Sequence, residues 1–265
     1  MDRLNAGGLV MVGCGFMGQA LLEGWLANGL RPEAVTVQDP TPSDWLRTQT
    51  GLRVNAPVPA TPAAILIATK PQVLDQVLPP LSPLGNGETL VMSIAAGAPV
   101  SLFERHFGAE TPVIRAMPNL PASIGFGATG IYGNTAAEPH LPIAETLFRA
   151  VGTCVAVPDE DMLHLVTGLS GSGPAYVFAM VEAMAQAASD LGLPEELAVA
   201  LAHQTVAGAG AMVAQPESQA EALRHAVTSK GGTTAAGLAA LVPELNLLMG
   251  ETIQAASKRS VELSQ

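Results

Sequence analysis

The sequence predicts an α/β domain built on a parallel sheet over residues 1–158, followed by an all-α domain over residues 159–265. Three observations carry that expectation. A glycine-rich turn, Gly13-Cys14-Gly15-Phe16-Met17-Gly18, sits between an apolar run at 9–12 and a stretch of helical spacing at 20–26. Short apolar runs then alternate with helical stretches as far as about residue 157, the pattern of strands joined by crossover helices. Past Asp159 the alternation stops and only helical periodicities follow.

The strand expectations run in order through residues 9–12, 34–38, 63–68, 89–94, 112–117, 130–132 and 153–157. The unbroken apolar character of Ala63, Ala64, Ile65, Leu66, Ile67 and Ala68 suits a strand covered on both faces. In the helical half, Val177, Met180, Val181, Met184, Ala188 and Leu191 fall on one stripe, and Gly192 supplies a stop. Residues 194–214 are apolar or small on almost every face, and such a helix must be buried. His203, Gln204 and Thr205 at its middle argue against a membrane span. Either the chain's own neighbours cover it, or a second copy completes its core. Further helices are expected at 217–227 and 243–263.

Composition narrows the function classes. Charged residues make up 13% of the 265 and the net charge is −11, which argues against nucleic acid and anionic membrane surfaces as partners. Cys14 and Cys154 make no disulfide framework, and the five histidines lack metal-ligand spacing. No basic segment precedes the first apolar run, so no signal peptide is expected. The expectation is a cytoplasmic protein without a metal.

Strand, glycine turn and helix in that order are the context in which G-x-G-x-x-G means dinucleotide binding. Gly13 allows the tight turn, Gly15 lets backbone approach a pyrophosphate, and Gly18 lets the helix pack closely on the strand. The N–H groups at the helix start then face the phosphates. Asp39, 21 residues beyond Gly18, can accept the adenine-ribose hydroxyls and repel a 2′-phosphate, which leans towards NADH; a turn-forming Asp-Pro pair is the alternative. Lys70 closes the strand at 63–68 and faces either cofactor or solvent. Apart from Ile94, Ser93 to Gly97 are small residues, as expected where a nicotinamide must pass close to backbone. Arg115 and Asn119 are polar groups at a strand end, for which a structural ion pair rivals a site role. Residues 170–176 and 229–234 offer N–H and hydroxyl donors at helix starts, fit for a small carboxylate or for plain capping.

Residues 13–18, 68–71, 93–97, 115–119, 170–178 and 229–234 occur in the order and spacing of pyrroline-5-carboxylate reductases, and essentially the whole chain resembles that family. The specificity of the likeness rests on Leu169-Ser170-Gly171-Ser172-Gly173-Pro174-Ala175-Tyr176 and Gly231-Gly232-Thr233-Thr234, more than on the glycine fingerprint. The resemblance implies an α/β Rossmann-type N-terminal domain and an all-α C-terminal dimerisation domain interleaved with its twin. It further implies a homodimer, sometimes a larger ring of dimers, and reduction of L-1-pyrroline-5-carboxylate to L-proline with NAD(P)H, the last step of proline biosynthesis. The family's site lies between the nicotinamide and the helical domains of both chains. By position, Val12, Gly13, Cys14, Gly15, Phe16, Met17, Gly18, Asp39, Ala68, Thr69, Lys70, Pro71, Ile94, Ala95 and Ala96 fall on cofactor-binding positions. Ser229, Gly231, Gly232 and Thr233 fall on the substrate loop, Glu160 on a substrate-proximal glutamate, and Thr234 on the threonine whose hydroxyl meets the ring nitrogen.

Three positions depart from the pattern. Lys230 replaces the loop's usual proline, Ala226 stands where some members have asparagine, and Asp39 stands where NADP-using members tend to have a small polar residue. Two rival functions compete on the residues. A 3-hydroxyacid dehydrogenase of similar plan wants a strong proton donor, commonly a lysine, and residues 170–175 contain none. A non-catalytic NAD-binding regulator would not need the second glycine-threonine loop.

Overall fold

The computed structural model describes residues 1–85 and 87–264. Its elements are α1 (Asp2–Gly7), β1 (Leu9–Val12), α2 (Phe16–Ala27), β2 (Val35–Gln38), α3 (Asp44–Thr48), β3 (Arg53–Val54), β4 (Ala64–Ile67) and α4 (Leu74–Val77). There follow β5 (Leu90–Ser93), α5 (Val100–Phe107), β6 (Val113–Met117), β7 (Gly127–Gly133), α6 (Leu141–Arg149) and β8 (Gly152–Ala156). The remaining helices are α7 (Met162–Val166), α8 (Gly173–Asp190), α9 (Glu195–Val213), α10 (Ala220–Ala226) and α11 (Thr233–Glu262). By compactness the chain divides into one unit of Met1–Ser172 with Gln254–Gln265 and a second of Gly173–Ile253.

The first unit is an eight-stranded sheet of order β3-β2-β1-β4-β5-β6-β7-β8. Strands β1 to β6 pair in parallel, in register Leu9 with Val35 and Ala64, and Ile65 with Val91. The order reverses between β2-β1 and β4, and ligands of such sheets sit outside the carboxyl ends at that point. The expectation of an all-parallel sheet fails at one place: β7 runs antiparallel to β6, and β8 pairs parallel to β7. Residues 118–126 between β6 and β7 hold only a 3-10 turn, and a parallel return needs a connection of about a dozen residues or more. Strand β3 was not expected, since two residues carry no periodicity; only pairing with Thr36 and Val37 defines it.

Both faces of the sheet are covered, which accounts for the unbroken apolar strands. Leu9 and Met11 point into a core with Leu21, Leu22, Trp25, Leu147 and Phe148, while Val10 and Val12 point into another with Leu74, Leu78, Phe103 and Phe107. Trp25 is fully buried, its ring edge-on to Phe148 at 6.3 Å between centroids, and its Nε1–H donates to the Leu147 carbonyl at 2.8 Å. The end of α11 belongs to this unit because Ser257 and Ser260 are buried in it, and His164 Nδ1 lies 2.9 Å from Ser260 Oγ. Burial, and then the nearby Arg115, lowers the His164 pKa against the opposing pull of Asp161 and Glu160.

In the second unit, α8 ends at Asp190 and Gly192 turns the chain at φ +103°, as its stop position required. Helix α9 buries only Ala198 and Ala202; Leu197 and Leu201 are 53% and 59% exposed. Its neighbours in the chain therefore cover an alanine edge and leave the large side chains bare. Phe178 and Met180 on α8 are bare as well. The helix expected at 243–263 starts ten residues earlier, at Thr233, with Pro243 inside it. Proline lacks one N–H and crowds one carbonyl, a cost of about 3 kcal/mol that a long helix of alanine, leucine and methionine absorbs.

Replacing Trp25 by alanine should cost about 3–5 kcal/mol of unfolding free energy, through lost burial and a cavity, together with the orphaned Leu147 carbonyl. Urea denaturation of the full chain measures it, and a loss under about 1 kcal/mol would contradict this account of the core.

Candidate active site

The turn after β1 is built by what cannot fit there. Gly13 has φ +85°, and a Cβ on it would stand 2.9 Å from the Ala68 carbonyl oxygen and from Thr69 Cγ2. Its N–H donates to the Gln38 carbonyl at 2.8 Å. A Cβ on Gly18 would stand 3.1 Å from the Gly13 oxygen, so α2 lies close against the end of β4. Gly15 is different: its φ of −69° suits any residue, and nothing lies within 4 Å of its Cβ position. As the N-cap of α2 it offers no side-chain acceptor to the first-turn N–H groups. That leaves a helix N-terminus open to an anion beside an open space.

A cleft of about 340 Å³ lies at the carboxyl ends of β1, β4 and β5. Of the expected cofactor positions, Gly15, Phe16, Met17, Gly18, Ala68, Thr69, Lys70, Pro71, Ile94 and Ala96 line it. Thr69 Oγ1 is buried without a hydrogen-bond partner, a polar atom that a ligand would satisfy. Ser93 Oγ accepts the Ala95 N–H at 3.1 Å and so shapes the loop that presents Ile94 and Ala96. Phe16 is 69% exposed at the mouth. The open Gly15 position, the uncapped helix and the orphaned hydroxyl fit a dinucleotide. Val12, Gly13, Cys14, Ala95 and Asp39 do not line the cleft. Val12, Cys14 and Ala95 are buried, and Asp39 Oδ2 accepts the Cys14 N–H at 2.7 Å. The Cys14 thiol is pushed up to about 12 by burial and then by Asp39 and Glu23, which rules it out as a nucleophile at neutral pH.

Met117 and Pro118 also line the cleft. The segment 115–119 stood out in the sequence for its polar members, and apolar residues there carry no comparable mark. The ion-pair alternative for Arg115 is realised: its Nη1 lies 2.5 Å from Glu160 Oε1, and that oxygen also accepts the Val100 N–H at 2.8 Å, at the start of α5. Asn119 donates to the Ser170 carbonyl at 2.9 Å and accepts the Ala128 N–H at 2.8 Å. Glu160, Arg115 and Asn119 thus brace the strand ends around the cleft.

The second group of candidate residues is assembled in the other unit. Gly231 has φ +74°, the Gly232 N–H donates to the Ser229 carbonyl at 3.1 Å, and α11 begins at Thr233. Ser229, Lys230, Thr233 and Thr234 are exposed there, at the N-terminus of a 30-residue helix.

Gly15→Ala should leave the thermal midpoint within about 2 °C, because the added Cβ meets nothing within 4 Å, yet weaken dinucleotide binding more than about tenfold by occupying the space left for the pyrophosphate. Differential scanning fluorimetry and nicotinamide fluorescence titration read the two quantities. Unchanged affinity would place the phosphates elsewhere.

Residues 160–263 match a family model described as pyrroline-5-carboxylate reductase dimerisation, and residues 9–97 match one described as NADP oxidoreductase coenzyme F420-dependent. A pyrroline-5-carboxylate reductase of Synechocystis sp. is 39% identical over 265 residues, spanning 97% of this chain and 98% of that protein. Among solved structures, a pyrroline-5-carboxylate reductase from Coxiella burnetii aligns with TM-score 0.92 at 33% identity, over 98% of this chain and 100% of the other. The Plasmodium falciparum pyrroline carboxylate reductase with NADP bound aligns with TM-score 0.81 at 26% identity, over 98% and 99%. On this full-length likeness, and with the cleft and the bare helical faces it accompanies, the chain belongs to the pyrroline-5-carboxylate reductase family.

Proposed function

We propose that this protein reduces L-1-pyrroline-5-carboxylate to L-proline by hydride transfer from NAD(P)H. The observation that carries the reading is the cleft at the strand ends, with its open Gly15 position and uncapped helix, in a chain alike over its full length to reductases of that imine. We infer a functional division at residue 158, with cofactor binding before it and substrate binding and dimerisation after it. The bare faces of α8 and α9 support a homodimer, and a larger ring of dimers extends that expectation. No helix among the described residues is long and apolar enough to cross a membrane, and two buried free thiols support a reducing, cytoplasmic setting.

The dinucleotide, when bound, supplies the hydride. The N–H groups at the start of α2 would hold its pyrophosphate, with Lys70 at the rim, and the loop of Ile94, Ala95 and Ala96 would lie beside its nicotinamide end. Gly13, Cys14 and Asp39 keep the turn in shape, Val12 lies buried beneath it, and Phe16, Met17, Gly18, Ala68, Thr69 and Pro71 would complete the surround. Ser229, Gly231, Gly232 and Thr233 hold the substrate carboxylate through the N–H groups and hydroxyls of the turn before α11. Glu160 stands as the substrate-proximal carboxylate, kept in place by Arg115 and the start of α5. A C=N carbon accepts hydride most readily when its nitrogen is protonated, so no covalent nucleophile is needed. Thr234 is too weak an acid to drive the step, and its hydroxyl orients the ring nitrogen and relays the proton.

Purified protein given pyrroline-5-carboxylate should oxidise reduced nicotinamide and release proline, followed at 340 nm. Thr234→Val should lower turnover about 10-fold to 1000-fold while dinucleotide affinity holds. Full turnover in that variant would remove the role given to Thr234. A wild type inert towards the imine but active on hydroxyacids would overturn the reaction.

A further inference from the structure

The loop after β5, which lines the cleft with Ile94 and Ala96, is stopped from behind by the end of α11. Gly97, next to Ala96, has φ +77°, and a Cβ on it would stand 2.8 Å from the Leu263 carbonyl oxygen and 3.4 Å from Ser264 Cα. The backbone just past α11 therefore lies directly against the backbone of this loop, and glycine is the residue that fits both the contact and the conformation. The loop is also tied where it begins and where it leaves. The Ile94 N–H donates to the Ile67 carbonyl at 3.0 Å, and the Val100 N–H donates to Glu160 Oε1 at 2.8 Å. Between those two ties, Leu263 and Ser264 form the outer stop.

The stop is itself held in place by a buried polar contact. Ser257 and Ser260, three residues apart on one face of α11, are buried, while Lys258, Arg259 and Glu262 are exposed. Ser260 Oγ lies 2.9 Å from His164 Nδ1. The winding then carries on to the contact with Gly97. The Leu263 N–H donates to the Arg259 carbonyl and the Ser264 N–H to the Val261 carbonyl, both at 3.0 Å. His164 stands four residues beyond Glu160, whose carboxylate receives the loop's exit. Residues 160–164 thus hold the loop twice, directly through Val100 and indirectly through the end of α11.

We propose that His164 and Ser260 are positioning residues of the cofactor site: their contact seats the end of α11 against Gly97 and so fixes the loop of Ile94 and Ala96 for the nicotinamide half of the dinucleotide. The proposal rests on the reading of the cleft as a dinucleotide site. Neither side chain lines the cleft, and both act through the backbone of residues 263–264 and of Gly97. Without the stop, the loop keeps its end ties but gains freedom at Ala96 and Gly97, and ordering it on binding costs affinity. The pyrophosphate would be held elsewhere, at the start of α2, so the loss falls on the nicotinamide half.

The test compares a reduced dinucleotide with its nicotinamide-free fragment by titration calorimetry on the full-length protein, with no imine present. The pair is NADH with ADP-ribose or NADPH with 2′-phospho-ADP-ribose, whichever the unaltered chain binds more tightly. Ser260→Ala and His164→Leu should each weaken the dinucleotide about fivefold or more and leave the fragment within about twofold. His164→Asn, whose amide offers both a donor and an acceptor, should keep the dinucleotide within about twofold of the unaltered chain. A chain ended at Glu262 retains both side chains and loses the stop; it should show the same selective loss, and it decides the matter where a buried substitution fails to fold. Equal loss for dinucleotide and fragment, or no loss in the chain ended at Glu262, overturns the positioning role. Since the titration holds no imine, an enzyme inert towards pyrroline-5-carboxylate leaves its result intact. Binding of neither dinucleotide by the unaltered chain overturns the cleft and the role together.

Discussion

The close approach of the turn after β1 to the end of β4 is the constraint on which the rest of the α/β unit depends. At Gly13 the Ala68 carbonyl stands where a side chain would begin, and at Gly18 the Gly13 carbonyl does the same one helical turn on. With no side chains in the way, α2 starts directly over the sheet's carboxyl edge. The cleft lies beside its first turn, at the sheet edge where the strand order reverses. Asp39 secures the turn from the neighbouring strand by accepting the Cys14 N–H.

Around that edge, polar groups are few and nearly all have work in holding the loops. Arg115 is buried in a charge-poor protein, and a buried guanidinium without a partner would cost several kcal/mol, about 3–5 by comparison with broken buried pairs. Glu160 meets it, and the same oxygen receives the first N–H of α5. Asn119 spans from β7 to the π-helical turn at Thr167–Gly171. These bonds tie the end of β6 to the start of α5, to β7 and to the π-helical turn.

The second unit shows the opposite economy. Its helices are held together by alanine edges, while leucines, methionines and a phenylalanine stay bare. Apolar side chains in that number are stable in water only when another surface covers them. A dimerisation segment would carry such faces, and it is this stretch that matches the dimerisation model of the family.

Much of the molecule was legible in the chain itself. The strands of the parallel core appear as apolar runs because both faces are buried, and a glycine turn between a strand and a helix states its ligand class through steric need alone. The glycine-threonine cluster before α11 was visible too, though capping and anion binding use the same donors and composition cannot separate them. What only the tertiary structure decided are matters of partnership between distant residues. These include the antiparallel return of β7, the pairing of β3, the early start of α11 through Pro243, and the place of Met117 and Pro118 in the cleft wall. Arg115 finding Glu160, and Asp39 closing the turn at Cys14, belong with them. Local sequence sets propensity and pattern over a few residues, whereas these depend on which segments the fold brings within hydrogen-bonding distance.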